Sequence, residues 1–299
     1  MSKPERLVAT FVAGQGGALD RAIARRALNE AGLVAPPLDW LAPDLAADAF
    51  FEGGDVTAAR LRLEAALDGE KVDVVVQSAE TRRKRLLVAD MDSTMIEQEC
   101  LDELADFAGI RARIAAITAR AMAGELDFEA ALRERVALLA GVTLDEIETL
   151  LPRLTLTPGA RALVATMRGH GAHTALVSGG FTQFTEAVAT RLGFHEAFAN
   201  RLEIAGGALT GVVVAPVQGR EGKRAALAGL RARLGLPHEA TLAIGDGAND
   251  LDMLREAGLG VAYHAKPKVA EAAAARIDHS DLTALLYAQG YRKDEIRDL

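Results

Sequence analysis

Two short apolar runs of this sequence each end in closely spaced carboxylates. Residues 86–89 lead into Asp90 and Asp92, and residues 241–244 lead into the acidic segment 245–250. Short apolar runs with polar ends are typical of buried parallel strands. Because open α/β sheets bind ligands at the carboxyl ends of their strands, three or four carboxylates are predicted to meet in one pocket. We expect a hard-cation site there, with a catalytic role.

The chain from residue 83 onward has the pattern of an α/β domain. Further strand-like runs lie at residues 174–177 and 259–263, and helical stretches separate all four runs. One interval, about residues 97–158, is almost entirely helix-forming and is too long for a simple crossover. It predicts a small helical cap, inserted after the first strand and placed to cover the pocket and exclude water.

The first 82 residues follow a different order, close to βαββαβ. This pattern predicts a separate ferredoxin-like α+β domain ahead of the α/β domain, which spans 83–299. The glycine-rich segment 14–17 precedes its first helix. Such a segment is more typical of a tight turn than of a ligand site.

Composition excludes several classes of function. The net charge is −8 and the one basic run is residues 82–85, so nucleic acid is not an expected partner. The single cysteine, Cys100, rules out an intrachain disulfide and a zinc site built on thiolates. No apolar stretch approaches the roughly 20 residues that span a bilayer. We therefore expect a cytoplasmic protein that does not bind membranes.

The residues around the predicted pocket favour phosphoryl chemistry. Of two carboxylates spaced like Asp90 and Asp92, one can attack an electrophile while the other donates a proton to the leaving group. Ser178 and Gly179 follow a strand and offer a hydroxyl and a backbone amide, and Lys223 offers a positive charge. Phosphoryl transfer depends mostly on positioning and charge neutralisation, so these groups suffice for it.

Four ordered motifs resemble those of the haloacid dehalogenase superfamily. They are residues 90–94, residues 178–180, Lys223 and residues 245–250. Within the superfamily, longer segments are similar to the phosphoserine phosphatase family, at 122–128, 132–136, 177–182 and 198–202. The resemblance covers about residues 84–290 and implies a Rossmann-like core with a parallel sheet. Met91 stands where the family often has phenylalanine, and we expect its side chain to point into the scaffold.

The resemblance implies roles for the acidic residues. Asp90 would be the nucleophile that forms an aspartyl-phosphate, and Asp92 would be the general acid and base. Asp246 would bind Mg²⁺ together with the Asp90 carboxylate and the Asp92 main-chain carbonyl. Asp250 would support this shell from behind, and Asn249 would support its waters and contact substrate. Taken alone, Asp246 and Asp250 also fit ordinary acids at a helix N-terminus.

The remaining site residues are implied on the substrate side. Ser178, Gly179 and Lys223 would hold the phosphoryl oxygens. Glu99 would bind the ammonium group and Arg135 the carboxylate of an amino-acid phosphate. Charged residues on amphipathic helices are more often solvated surface groups, and Glu99 and Arg135 also fit that interpretation. The cap side of the pocket would be lined by Met122 and Phe128, although their spacing alone indicates core.

The resemblance thus implies Mg²⁺-dependent hydrolysis of O-phosphoserine, the last step of serine biosynthesis. It also implies that the first domain is an ACT-type regulatory or assembly module, and it leaves a homodimer open. Two alternatives remain. A phosphotransferase would pass the same phosphoryl group to another alcohol such as homoserine, and a non-catalytic sensor would only bind an amino acid. Intact Asp90, Asp92, Lys223 and Asp246 argue against the sensor.

Overall fold

The computed structural model describes residues 5–34, 37–122 and 125–297 of the 299-residue chain, with the side chain of Met122 excepted. These residues form two sheets. The first has four strands in the order β2-β3-β1-β4, and the second has seven in the order β11-β10-β9-β5-β6-β7-β8. The predicted combination of an α/β domain with a smaller α+β domain ahead of it is confirmed.

The N-terminal sheet is antiparallel and carries two helices. Its elements are β1 (Arg6–Ala13), α1 (Arg21–Glu30), β2 (Asp39–Ala42), β3 (Ala46–Glu52), α2 (Val56–Ala66) and β4 (Val72–Ser78). The side chains of Asp20 and Asp55 cap α1 and α2 by accepting backbone N–H bonds. The βαββαβ order and the strand order together are those of the predicted ferredoxin-like arrangement.

The second sheet is parallel except at one edge, where β8 returns antiparallel to β7. Its strands are β5 (Leu86–Ala89), β6 (His173–Phe181), β7 (Glu196–Ala205), β8 (Ala208–Val214), β9 (Thr241–Gly245), β10 (Leu259–Tyr263) and β11 (Ala275–Ile277). All four residues of β5 are buried, as are all five of β9. The two apolar runs therefore form central strands of the sheet, and Asp90 and Asp246 follow them directly.

Helices cover this sheet, and four more form the cap. The cap consists of α3 (Cys100–Phe107), α4 (Arg111–Met122), α5 (Phe128–Ala137) and α6 (Leu144–Leu150). The helices on the sheet are α7 (Ala160–Gly169), α8 (Thr182–Leu192), α9 (Arg220–Arg233), α10 (Leu251–Glu256), α11 (Pro267–Ala272) and α12 (Ala284–Ala288). Within the described ranges, no helix has both the length and the apolar character required to cross a membrane.

The segments that lead into and out of the cap pair with each other. Ile96 forms an antiparallel bridge with Leu156, and the N–H of Glu97 donates to the carbonyl of Thr155 at 3.0 Å. The Gln98 side chain accepts from the Thr155 N–H at 2.9 Å and donates to the Thr155 hydroxyl at 3.1 Å. The cap is thus joined to the sheet by a narrow paired neck just beyond β5.

Hydrogen bonds to a buried carboxylate join the N-terminal sheet to the larger domain. The Asp73 carboxylate accepts backbone N–H bonds from Asp278 at 2.8 Å, His279 at 3.2 Å and Ser280 at 2.7 Å. A Cβ on Gly14 would stand 2.7 Å from the Cβ of His279, so a larger residue would force these two segments of the chain apart. Glycine at position 14 therefore allows the close packing of the two domains at this point.

Candidate active site

Asp90 lies at the carboxyl end of β5 and is 3% exposed. Its N–H donates to the carbonyl of Ile244 at 2.9 Å, which extends the pairing of β5 with β9 by one residue. Lys223, from the first turn of α9, places its Nζ 2.6 Å from Asp90 Oδ1 and 2.7 Å from Asp250 Oδ1. One buried ammonium thus links the two acidic segments that the sequence places 160 residues apart (250 − 90).

Three carboxylates form a cluster at this point. Oxygen atoms of Asp90, Asp246 and Asp250 lie within 4.8 Å of one another. Lys223 is the one ammonium in hydrogen-bond contact with these three carboxyls in the described part of the chain, and burial together with the Asp250 carboxylate raises the pKa of Asp90. An all-oxygen donor set with excess negative charge fits a hard divalent cation.

The three carboxylates of the cluster differ in how many hydrogen bonds their oxygens already accept. Asp250 Oδ1 accepts from Lys223, and its Oδ2 accepts from the N–H of Gly247 at 3.0 Å. Asp90 Oδ1 accepts from Lys223 and from the Met91 N–H at 2.8 Å. Asp246 and the second oxygen of Asp90 are therefore better placed than Asp250 to ligate an ion directly. Met91 is fully buried, in agreement with the expectation that it points into the scaffold.

Asp92 is held by hydrogen bonds from two directions. Its Oδ1 accepts from the backbone N–H of Cys100 at 2.8 Å, and its Oδ2 accepts from the Ser178 hydroxyl at 3.0 Å. The Ser178 oxygen in turn accepts from the Gly180 N–H at 2.8 Å. The Ser178 hydroxyl thus contacts the Asp92 carboxyl, and its predicted contact with a phosphoryl oxygen stays a prediction.

A cavity of about 380 Å³ opens between the acids and the cap. Eight of the predicted site residues line it: Asp90, Asp92, Glu99, Phe128, Arg135, Gly179, Asp246 and Asn249. Ser178, Lys223 and Asp250 lie behind the lining and bond to it. The side chain of Met122 is outside the described residues.

The cap wall of this cavity carries opposite charges. Glu99 immediately precedes α3, and Arg135 lies in the last turn of α5. Phe128, the first residue of α5, is 42% exposed and faces the two glycine backbones of Gly179 and Gly219. The cavity thus has the cluster of acids at one end, an apolar side formed by Phe128, and one acidic and one basic side chain on the cap.

Burial shifts the titration of two acids at the cavity. Enclosure by protein raises the pKa of Asp246 to about 6, with a further contribution from Asp250. Glu99 keeps solvent access through the cavity, yet crowding by surrounding protein and the charge of Asp92 raise its pKa to about 7. For Lys223, burial acts in the opposite direction, but the carboxylates of Asp90 and Asp250 raise its pKa above the ordinary value.

Two lysines that sequence reasoning missed also line the cavity. Lys266 and Lys268 follow β10 and flank the first residue of α11. They stand at the carboxyl end of a strand that was predicted correctly. Their position at a strand end is the same sequence signal that identifies Asp90 and Asp246, and it applies to basic residues as well as to acids.

Asn200 is a second residue that sequence reasoning left without a role. Its side chain is buried, and its Nδ2 donates to the carbonyls of Gly179 at 2.9 Å and Gln218 at 3.0 Å. Its Oδ1 accepts from the Gln218 N–H. The amide thereby ties the carboxyl end of β6, which contains Gly179, to the loop just before α9, the helix that carries Lys223.

Comparison with known proteins agrees with this architecture. The family model described as haloacid dehalogenase-like hydrolase matches residues 87–255, which is more than half of the chain. A phosphoserine phosphatase of Streptomyces coelicolor is 46% identical over 79% of this chain and 58% of its own length. One from a Polaromonas species is 45% identical over 73% of this chain and 95% of its own.

A solved structure agrees in the same way. The probable phosphoserine phosphatase of Vibrio cholerae, in unliganded form, is 34% identical with a TM-score of 0.78, covering 95% of this chain and 87% of that one. The chain therefore belongs to the haloacid dehalogenase-like hydrolases, within their phosphoserine phosphatase family. It spans less than two thirds of the Streptomyces relative.

Proposed function

We propose that this chain hydrolyses O-phosphoserine to serine and phosphate through an aspartyl-phosphate on Asp90. The observation that carries the proposal is the environment of Asp90. It is a buried carboxylate at a strand end, paired with Lys223 and clustered with Asp246 at the floor of a cavity. Such a group is positioned to attack a phosphoryl centre whose charge its neighbours can neutralise.

The reaction takes place in two displacements. An Asp90 carboxylate oxygen bonds to phosphorus as the bond to the serine oxygen breaks, and Asp92 gives that oxygen its proton. Asp92, now a carboxylate, then takes a proton from water, whose oxygen attacks phosphorus and releases phosphate from Asp90. The bonds from Cys100 and Ser178 would keep Asp92 in one orientation for both transfers.

The acid cluster fits Mg²⁺ as the cofactor. Asp90 and Asp246 would hold the ion, with the main-chain carbonyl of Asp92 as a third ligand. Asp250, already bonded to Lys223 and Gly247, would orient the others. When bound, Mg²⁺ supplies positive charge against the phosphoryl oxygens. Lys223 and the Gly179 N–H would supply the protein's share of that charge.

The charges on the cap support an amino-acid phosphate as the substrate. We assign the ammonium group to Glu99, the carboxylate to Arg135 and the hydrocarbon contact to Phe128, with Asn249 on the metal side. The relatives named as phosphoserine phosphatases support the same choice. The 380 Å³ cavity has room for a molecule of this size.

Release of phosphate from O-phosphoserine, with and without EDTA, tests this proposal. We expect turnover with Mg²⁺ and its loss with EDTA, restored by added Mg²⁺. Addition of homoserine separates hydrolysis from phosphotransfer, because a transferase would yield O-phosphohomoserine in place of free phosphate. Binding of serine with no turnover of any phosphomonoester would instead make the chain a sensor.

The N-terminal sheet is proposed to be an ACT-type module. Its ferredoxin-like strand order supports this. Calorimetry of the full chain with serine tests whether the module binds an amino acid, because a stoichiometry of two serines per chain would require a site besides the active site. Light scattering tests whether two copies associate.

A further inference from the structure

Ser93 adopts a backbone conformation that is unusual for its residue type. Its φ is +54°, in the left-handed region that normally favours glycine. The residue follows Asp92 and starts the turn that leads from β5 to the neck of the cap. Its N–H donates to the carbonyl of Gln98 at 3.2 Å, which closes this turn. Glycine would satisfy the same backbone geometry without strain.

The Ser93 side chain makes one specific contact that glycine would lose. Its hydroxyl donates to Glu99 Oε1 at 2.7 Å. A side chain kept at a position where glycine is preferred indicates that the side chain has its own task. The turn bonds of Ser93 use its backbone, so that task falls to the hydroxyl.

Glu99 depends on this bond for a defined position. In the described part of the chain, its carboxylate has no other hydrogen-bond partner within the protein, and it does not cap α3. The nearby carboxylate of Asp92 repels it. Without the hydroxyl of Ser93, electrostatic repulsion and rotamer freedom would move Glu99 away from the acids and toward solvent.

We propose that Ser93 is a positioning residue for substrate specificity, which holds Glu99 where it meets the ammonium group of the substrate. This proposal rests on the proposed function, since it refines how that function selects its substrate. Ser93 acts through Glu99 and takes no part in bond making. Its hydroxyl therefore affects recognition of the ammonium group and leaves phosphoryl transfer unchanged.

The test compares two phosphomonoesters in Ser93→Ala and Ser93→Gly. O-phosphoserine carries the ammonium group, and the phosphate ester of 3-hydroxypropanoate has the same skeleton with hydrogen in its place. We expect KM for O-phosphoserine to rise about tenfold in both variants, as for a lost hydrogen bond to a charged group. The kcat for O-phosphoserine and the KM for the ammonium-free ester should stay within about twofold of wild type.

The two variants separate the hydroxyl from the backbone. Glycine relieves the strain at φ +54° and alanine keeps it, so the glycine variant should unfold at the higher temperature while both show the same KM. If Ser93→Gly binds O-phosphoserine like wild type, or if both esters lose affinity equally, the proposal is wrong. Thr155→Ala is the matched control, because it removes a hydroxyl from the neck that bonds Gln98 and not Glu99.

Wild-type kinetics keep this test distinct from the proposed function. If wild type releases no phosphate from O-phosphoserine, the proposed function fails before any variant is measured. If it does, and Ser93→Ala keeps the wild-type ratio of kcat/KM between the two esters, only the role of Ser93 fails.

Discussion

At the scale of the residue, charge balance at Asp90 governs the chemistry that the site can support. A carboxylate that is 3% exposed is costly to ionise unless a cation lies beside it. Lys223 provides one such cation at 2.6 Å, but it also serves Asp250. The cluster therefore remains short of positive charge, which a bound metal ion would supply and which an anionic phosphoryl group would require.

Replacement of Asp90 by asparagine tests the nucleophile directly. Asparagine keeps the size of the side chain but has no carboxylate to form an acyl phosphate. Turnover should therefore fall by about 10⁴-fold or more. Acid quenching with labelled O-phosphoserine should trap label on wild type and none on Asp90→Asn. Asp252→Asn, at a surface acid paired with Arg220, is the control and should retain activity. Turnover near wild type in Asp90→Asn would contradict the mechanism.

The raised pKa of Glu99 predicts how substrate affinity depends on pH. Its pKa is about 7, so the carboxyl is increasingly protonated below that pH and loses its charge. The attraction for an ammonium group falls with it. KM for O-phosphoserine should therefore rise as pH falls through about 7.

The ammonium-free phosphate ester of 3-hydroxypropanoate isolates this effect, because it shares the titration of the phosphate itself. The ratio of the two KM values should change with pH in wild type. In Glu99→Gln it should be constant, with a high KM for O-phosphoserine throughout. A pH-dependent ratio that survives in Glu99→Gln would assign the titration to another group.

At the scale of the element, the sequence predicted the four central strands of the larger sheet, β10, β9, β5 and β6, and missed β11 at one side and β7 and β8 at the other. β5 and β9 are short apolar runs with acids at their ends, and both were recognisable because every residue in them is buried. β7 and β8 have mixed burial, and several of their apolar residues face solvent, including Ile204 and Val212. These two strands are stabilised by pairing with each other across a turn, and the residues of either strand alone do not indicate this pairing.

The same reasoning explains which parts of the site were predictable. Acids that follow buried strands could be located by a topological rule. The bond from Ser93 to Glu99 and the two carbonyls joined by Asn200 could not, because they depend on turn conformation and on the path of distant loops. The family resemblance identified these segments without indicating what they contact.

The start of α5 provides a prediction at this scale. Phe128 is 42% exposed, and its ring faces Gly219 so closely that a Cβ there would stand 3.1 Å from it. Phe128→Ala should raise KM for O-phosphoserine by about tenfold through lost apolar contact. Thermal stability should change little, since the ring is not part of the core.

Phe107→Ala is the matched control for this prediction. Phe107 lies on the same cap, is 40% exposed and does not line the cavity. Its removal should leave steady-state kinetics unchanged. Equal effects of the two substitutions on KM would show that cap stability, rather than contact with substrate, determines affinity.

At the scale of the whole molecule, polar contacts made by the buried Asp73 side chain bind the N-terminal sheet to the larger domain. Asp73 is 5% exposed and serves three successive backbone N–H groups, from Asp278 to Ser280. Beyond these residues, the N–H of Leu282 donates to the carbonyl of Pro158, where the chain leaves the cap. The same short segment thus contacts the N-terminal sheet and the base of the cap.

The Asp73 contact predicts that the two domains unfold together and that one substitution separates them. Asp73→Ala removes the acceptor of three successive N–H groups, of which that of Ser280 is buried and the other two are partly buried, at a cost of about 2 kcal/mol. The single tryptophan, Trp40, lies in the N-terminal sheet and reports on it by fluorescence, whereas far-ultraviolet circular dichroism reports on all helices. In urea, the two signals should coincide for wild type, and the fluorescence midpoint should move to lower urea in Asp73→Ala.

Gln77→Ala removes one bond, to the carbonyl of Ala288, and should shift the midpoint much less. An equal shift of both signals in Asp73→Ala would mean that the domains remain one cooperative unit without this contact.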